Sequence, residues 1–255
     1  MDMEKIFELH RRLYMVLCGV HPHRYFWHAQ WLSVKDLYHD LRQILPTLTG
    51  RILDVGCRDK PYAIWLTHVK EHVGLDILSG PKVDHIIEDG CPWPVADASI
   101  NAVICTQVVQ HTQDVPHVIR QIDRVLADGG HVVLTAPFCY NDMSVNSGKI
   151  QIKDFWRYSV HGAAALFPSN YEIVALHKQG GAGSTLGVLL LNWIQEMFST
   201  NLFARTLFVL ATPIWILFTT GINIIGFAVD KIDRTGSFYH NVFVVARKQP
   251  ISRGL

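Results

Sequence analysis

The sequence predicts an α/β protein: a parallel sheet with helices on both faces, and a hydrophobic helical insertion before the last strand. Three observations carry that expectation. Short aliphatic runs alternate with helical patterns between residues 51 and 136, as strand–helix–strand units do. Ile52, Leu53 and Val55 form a brief run stopped by Gly56, the pattern of a buried parallel strand. An acid also sits at the end of each of the first two strands. Asp54 precedes the Gly56 turn, and Asp76, 22 positions later, ends His72-Val73-Gly74-Leu75-Asp76. Open α/β sheets bind ligands at the carboxyl ends of their strands, and an acid at the tip of the second strand suits a ribose hydroxyl.

The elements follow in order. Residues 1–20 place Ile6, Phe7, Leu9, Leu13, Val16 and Leu17 among Glu4, Lys5, Arg11 and Arg12, an amphipathic helix. It either packs on the domain or lies on a membrane surface; no small-residue cleavage site follows, so it does not read as a signal peptide. A second helix is expected from Tyr25 to Leu45, ended by Pro46 and Gly50. Then come strand 51–55, helix 60–68 opened by Lys60-Pro61, strands 72–76, 83–87 and 101–106, helix 115–126, and strand 131–136. Asp128-Gly129-Gly130 separates that helix from its strand, and Pro137 stops the strand. Two more strands are expected at Tyr171–His177 and Phe238–Arg247. The expected segments are N-terminal helices over 1–48, a core over 49–180 and 236–250, and the insertion over 181–235.

Composition narrows the function. With 23 basic and 22 acidic residues the net charge is +1, so nothing draws the chain to nucleic acid. Five cysteines are scattered without a Cys-x-x-Cys pair; zinc or redox chemistry is not expected, and a reducing compartment is. Only 18% of residues are charged and the mean hydropathy is positive, both leaning toward membrane association. The apolar excess is local. Thr206 to Val229 is 24 residues without a charge, long enough to cross a bilayer, and Ser184 to Ala204 carries only Glu196. Pro213, Gly221 and Gly226 favour a bent, re-entrant path, and Arg205, Lys231 and Arg234 could meet anionic headgroups. Three readings of 185–230 stay open: a membrane-embedded or interfacial hairpin, a cap over a hydrophobic acceptor, or a homodimer interface.

A dinucleotide site wants Gly-x-Gly-x-x-Gly against a pyrophosphate, and here Gly56 is followed by Cys57, Arg58, Asp59 and Lys60. A ligand without a pyrophosphate fits better. RILDVGCRDKPY, PWPVADASINAVICTQVVQHTQDV, DRVLADGGHVVLTAPF and DFWRYSVHGAAALF occur in the order in which similar segments occur in class I S-adenosylmethionine-dependent methyltransferases. The chain resembles that family, in its type 11 group from bacterial glycan and natural-product clusters, over about residues 50–177 and the strand at 238–247. The resemblance implies a doubly wound, seven-stranded Rossmann-like sheet whose last strand is antiparallel. It implies S-adenosylmethionine as cofactor, with Asp54, Gly56 and Cys57 at its methionine part, Asp76 at the ribose and Asp89 near the adenine. Arg58, Ile77, Gly90 and Thr106 complete the implied cofactor set. Arg58 stands where the family has a second glycine, so its side chain must point away or cap the cofactor carboxylate. Asn101 and Gln110 stand where the family commonly has acids.

Methyl transfer asks the protein for alignment and, at oxygen acceptors, for a base. The candidates are His111 after the fourth strand, His161 and Asp154, with histidine favoured because its pKa lies nearest neutrality. Trp156 and Tyr158 could stack on a sugar or ring, or the DFWRYSVH segment could simply anchor a lid. The expected activity is O-methylation of a hydrophobic or lipid-linked acceptor, a glycolipid or polyprenyl-linked sugar, at the cytoplasmic side of a membrane. The alternatives are a natural-product methyltransferase in the cytoplasm and a non-catalytic, cofactor-binding membrane scaffold.

Overall fold

The computed structural model describes residues 3–19, 21–146, 151–199 and 201–250. Met1, Asp2 and Val20 of the expected first helix lie outside them. The chain forms two compact units. One holds residues 40–138, 142–178 and 241–255; the other holds 1–39, 139–141 and 179–240. The N-terminal helices and the hydrophobic insertion, expected as separate segments, therefore largely share one unit.

The first unit is built on a sheet. Its strands are β1 (Gly50–Val55), β2 (Val69–Asp76), β3 (His85–Ile86), β4 (Ile100–Thr106), β5 (Leu126–Pro137), β8 (Tyr171–Gln179) and β9 (Asn241–Lys248). A separate two-stranded ribbon pairs β6 (Val145–Asn146) with β7 (Gln151–Ile152). The seven strands lie in the order β3-β2-β1-β4-β5-β9-β8. Neighbours from β3 to β5 are parallel, and β9 runs antiparallel to β5. Strand order reverses direction between β1 and β4, so a crevice opens at their carboxyl ends. The buried runs Ile52–Val55, Ala102–Cys105 and Val132–Ala136 form the central layer. Helix α3 (Val115–Val125) buries Val115, Val118, Ile119, Ile122 and Val125, a helical stripe, and Asp114 caps it by accepting from the His117 N–H at 2.9 Å.

The helix expected over 60–68 is absent; only a 3-10 turn at Ala63–Trp65 forms. Arg58 and Lys60 have φ of 45° and 50°, a left-handed conformation no right-handed helix can start from. Lys60 is held there, because its Nζ donates to the His72 carbonyl at 2.7 Å and to Asp84 Oδ2 at 2.6 Å. The last strand starts at Asn241 rather than Phe238, with Tyr239 and His240 buried in the helical unit.

The second unit is helical: α1 (Met3–Cys18), the start of α2 (Trp31–Ile44), α5 (Ala182–Ser199), α6 (Leu202–Leu210) and α7 (Thr212–Ile232). A short α4 (Val160–Ala164) belongs to the sheet unit. The second helix begins at Trp31, six residues later than Tyr25. The carbonyls a helix there would use are taken: Thr219 donates to Trp27 O, and Asn223 Nδ2 donates to Phe26 O and His28 O. Helices α5 and α7 are antiparallel, since Gly183 abuts Gly226 while Gly187 abuts Ile222. Those glycines let the backbones close together and admit Leu32, whose side chain is fully buried against Gly187 and Gly226. A core of Ala29, Leu191 and Trp215 with Tyr14, Ile194, Phe208 and Ile222 completes the unit.

Candidate active site

The sheet unit holds a cavity of about 390 Å³ beside the carboxyl ends of β1 and β2, within the size range of small-molecule sites. Its floor is Val55, Gly56, Leu75, Asp76 and Ile77; Ile87, Glu88, Asp89, Gly90 and Trp93 form one wall. Val108, His111, Thr112 and Gln113 with Gln151, Ile152, Lys153 and Phe155 form the other, and His117 and Val118 of α3 close it.

Asp76 is the anchor. Its side chain is buried yet borders the cavity, and its two oxygens accept from backbone N–H groups: Oδ2 from Arg58 and Oδ1 from Leu78, both at 3.0 Å. Two fixed donors hold the carboxylate in one orientation and leave lone pairs for hydroxyls. Gly56 turns the chain with φ of 70°, and a Cβ there would lie 2.5 Å from Val108 Cγ2. Asp89 is positioned by Thr112, whose Oγ1 donates to Oδ1 at 2.9 Å. A Cβ added at Gly90 would meet nothing within 4 Å, so the wall beside Asp89 is open. A carboxylate for a diol, a second carboxylate beside an apolar slot of Leu75, Ile77, Ile87 and Trp93, and a glycine turn form a donor set that suits a nucleoside with a flat base.

His111 reaches the cavity after β4. Its Nδ1 lies 3.0 Å from the Lys153 carbonyl, which can only accept. In the neutral ring the proton is therefore assigned to Nδ1, and Nε2 keeps the lone pair.

Of the site residues expected from the sequence, Gly56, Asp76, Ile77, Asp89, Gly90 and His111 line this cavity. The others do not. Asp54 lies on the same face as Asp76, because it pairs in register with Gly74, but one step behind. It is 2% exposed and its Oδ2 contacts His72 Nε2 at 3.1 Å. Burial pushes its pKa up, opposed by the His72 contact. Cys57 is buried with Sγ toward the Arg58 and Lys82 carbonyls, and burial pushes its thiol up to about 12. Arg58 is exposed and serves through its N–H on Asp76. Thr106 is buried in β4 opposite Thr135.

The base candidates besides His111 lie outside the cavity lining. Asp154 accepts the Met143 N–H at 2.8 Å and both terminal amines of Arg157 at 2.6 Å. Burial acts to raise its pKa, but the Arg157 and Met143 bonds outweigh it and hold the carboxyl below the usual range. Both oxygens of this carboxylate are engaged, and they brace Arg157 and the Met143 N–H. His161 is exposed on α4, away from the cavity lining. Trp156 donates from Nε1 to the Thr112 carbonyl at 2.9 Å, and Tyr158 donates its backbone N–H to Pro137 O. Burial pushes the Tyr158 hydroxyl up to about 12.

Part of the DFWRYSVH segment, with the residues just before it, borders the cavity. Lys153 and Phe155 face the cavity; Asp154 and Trp156, the alternate positions, do not. The backbone tie that places Phe155 there, its N–H to Gln110 O at 2.7 Å, is not a sequence signal. Gln113, His117 and Trp93 were also missed; only their nearness to His111 and Asp89 pointed to them.

Residues 26–172 match the family described as a methyltransferase domain. No curated protein sequence matches the chain. Among solved structures, the cyclase SpnF is similar at 17% identity, with 86% of this chain and 83% of that one covered and a TM-score of 0.52. An assigned S-adenosylmethionine-dependent methyltransferase from Listeria monocytogenes is similar at 11% identity, with 85% and 100% covered and a TM-score of 0.51. At such identities these likenesses speak to the fold alone.

Proposed function

The chain belongs to the methyltransferase-domain family, its cofactor is S-adenosylmethionine, and on that premise we propose that it methylates an oxygen of a hydrophobic or lipid-linked acceptor, a glycolipid or polyprenyl-linked sugar, while held at a membrane by its helical unit. The observation that carries the acceptor class is the apolar surface of that unit. Phe203, Leu210, Ile214 and Leu217 are each 70% or more exposed, and Leu186, Trp193, Ile224, Ile225 and Ile232 are exposed beside them. A monomer in water rarely leaves so many large apolar side chains uncovered on three consecutive helices.

Connectivity limits how a bilayer could take these helices. The chain leaves β8 and returns to β9 of the same sheet, so it cannot cross once. Only α7 is long and apolar enough to span among the described residues, and just 28% of its apolar window is buried. An antiparallel α5–α7 pair entering from one side satisfies both facts.

S-adenosylmethionine, when bound, supplies a methyl group on a sulfonium, already activated for displacement. The chain's own residues supply position and proton handling. Asp76 would hold the ribose hydroxyls and Asp89 the neighbourhood of the base. His111, with its proton fixed at Nδ1 by Lys153 O, accepts the acceptor's hydroxyl proton at Nε2. Lys153 and Phe155 border the acceptor side. Incubating the purified chain with methyl-labelled S-adenosylmethionine and a membrane lipid extract tests the reading. A labelled lipid heavier by one methyl is expected; label confined to water-soluble products would overturn it.

A further inference from the structure

The helical unit contains a second, open cavity, of about 270 Å³, lined by residues of α1, α5 and α6 and unrelated to the residues described above. Phe198, Phe208 and Val209 make its apolar side, with the Phe198 and Phe208 rings stacked at 5.1 Å. His10, Gln195, Glu196, Ser199 and Arg205 make its polar side.

We propose that this cavity binds the headgroup of a zwitterionic phospholipid, with Arg205 and His10 at the phosphodiester and Glu196 at the ammonium. The proposal rests on the membrane reading above. Four observations carry it. The lining holds one cation and one anion, so a singly charged anionic headgroup would leave Glu196 opposed to it, whereas a zwitterion matches both. His10 Nε2 is buried and has no hydrogen-bond partner among the described residues, a cost that a ligand phosphate oxygen would remove by accepting its N–H. The ring is set against Phe208 at 5.1 Å, and burial holds its pKa down. Arg205 is braced there, with Nε donating to the Ser199 carbonyl at 2.9 Å. The same three helices expose Leu9, Met197, Leu202, Leu207 and Leu210, an apolar surface for the acyl chains.

The experiment titrates the full chain with dihexanoyl-phosphatidylethanolamine below its micelle threshold, read by tryptophan fluorescence, since Trp215 contacts Phe208 at 5.1 Å. Dihexanoyl-phosphatidylglycerol and chain-free glycerophosphoethanolamine are the competing probes. Saturable binding of the first is expected, at least tenfold tighter than either competitor and at least fivefold weaker in Glu196→Gln and Arg205→Gln. Equal binding of the glycerol lipid would overturn the zwitterion assignment. Equal binding of the chain-free headgroup would overturn the lipid source, and unchanged affinity in both variants would overturn the site. Flotation with phosphatidylcholine vesicles separates the two readings: a wild-type chain that fails to float sinks the membrane reading while short-chain binding still judges the cavity.

Discussion

Replacing Asp76 by asparagine removes one charge and one acceptor from the floor of the active-site cavity. The carboxylate takes two backbone N–H groups, Arg58 and Leu78, at 3.0 Å each. Asparagine has one oxygen, so one of those donors faces an NH2 group, a loss of about 1–3 kcal/mol of stability. Toward the cavity, a charge-assisted bond of about 1.5–3 kcal/mol becomes a neutral one of about 0.5–1.5 kcal/mol. Over two ribose hydroxyls that is about 2–3 kcal/mol, or about a 30- to 150-fold rise in Kd. Calorimetric titration with S-adenosylhomocysteine reads the change directly, and circular dichroism confirms that the variant is folded. A folded Asp76→Asn protein whose Kd lies within threefold of wild type would refute the assignment of Asp76 as the hydroxyl anchor.

Four further expectations follow from the geometry. Gly56→Ala places a Cβ 2.5 Å from Val108 Cγ2 at φ of 70°, so cofactor affinity and thermal midpoint should both fall, and Val108→Ala in the same chain should restore part of each. His111→Ala at saturating cofactor should lower turnover about 10²- to 10⁴-fold with cofactor Kd little changed, whereas His161→Ala should leave turnover intact. Asn223→Leu loses its bonds to Phe26 O and His28 O at 2.6 and 2.9 Å; His28 O keeps the Trp31 N–H, so the loss falls on the Phe26 carbonyl and should cost about 1–3 kcal/mol in urea unfolding. His28 is held neutral by burial, with its pKa down at about 4. The unfolded chain then binds the extra proton between about pH 6.5 and 4, so stability is full above that window and falls as pH drops through it, by at most about 3 kcal/mol. Urea midpoints across pH 4–7 in wild type and His28→Gln check the slope, which should be shallower in the variant.

The sheet was legible because its signals are local. Val55 before Gly56 and the Asp76 terminus each mark a strand end without help from tertiary structure, whereas Gly129-Gly130, expected to separate helix from strand, lie inside β5. What was not legible depends on partners far away in sequence. The missing helix at 60–68 follows from Lys60 reaching His72 and Asp84, and the late start of α2 from Asn223, some 195 residues on. That Asp76 and Gly56 border the cavity was readable from a strand–turn pattern, as was the place of His111 from its position after a strand. Asp54 was not, because its burial against His72 depends on which residue of the neighbouring strand stands opposite.

The polar residues of α7 decide how its apolar length should be understood. Thr212, Thr219 and Asn223 are buried with Trp215 and Gly226 on one face, and that face bonds the carbonyls of residues 26–28. Ile214, Leu217, Ile224 and Ile225 occupy the rest of the circumference and are exposed. A simple spanning helix would have no reason to reserve a polar stripe for protein backbone, and a soluble core helix would not leave the remaining faces bare. A helix bound along one side to its own chain and apolar along the others supports the proposed entry into a bilayer from one side. The same stripe ties the insertion to the N-terminal segment, so the two apolar regions of the sequence form one body. Removing 185–230 alone would therefore strip the partners from residues 26–28 and expose Leu32, and a truncation that keeps the sheet unit soluble must also remove the residues before about 40.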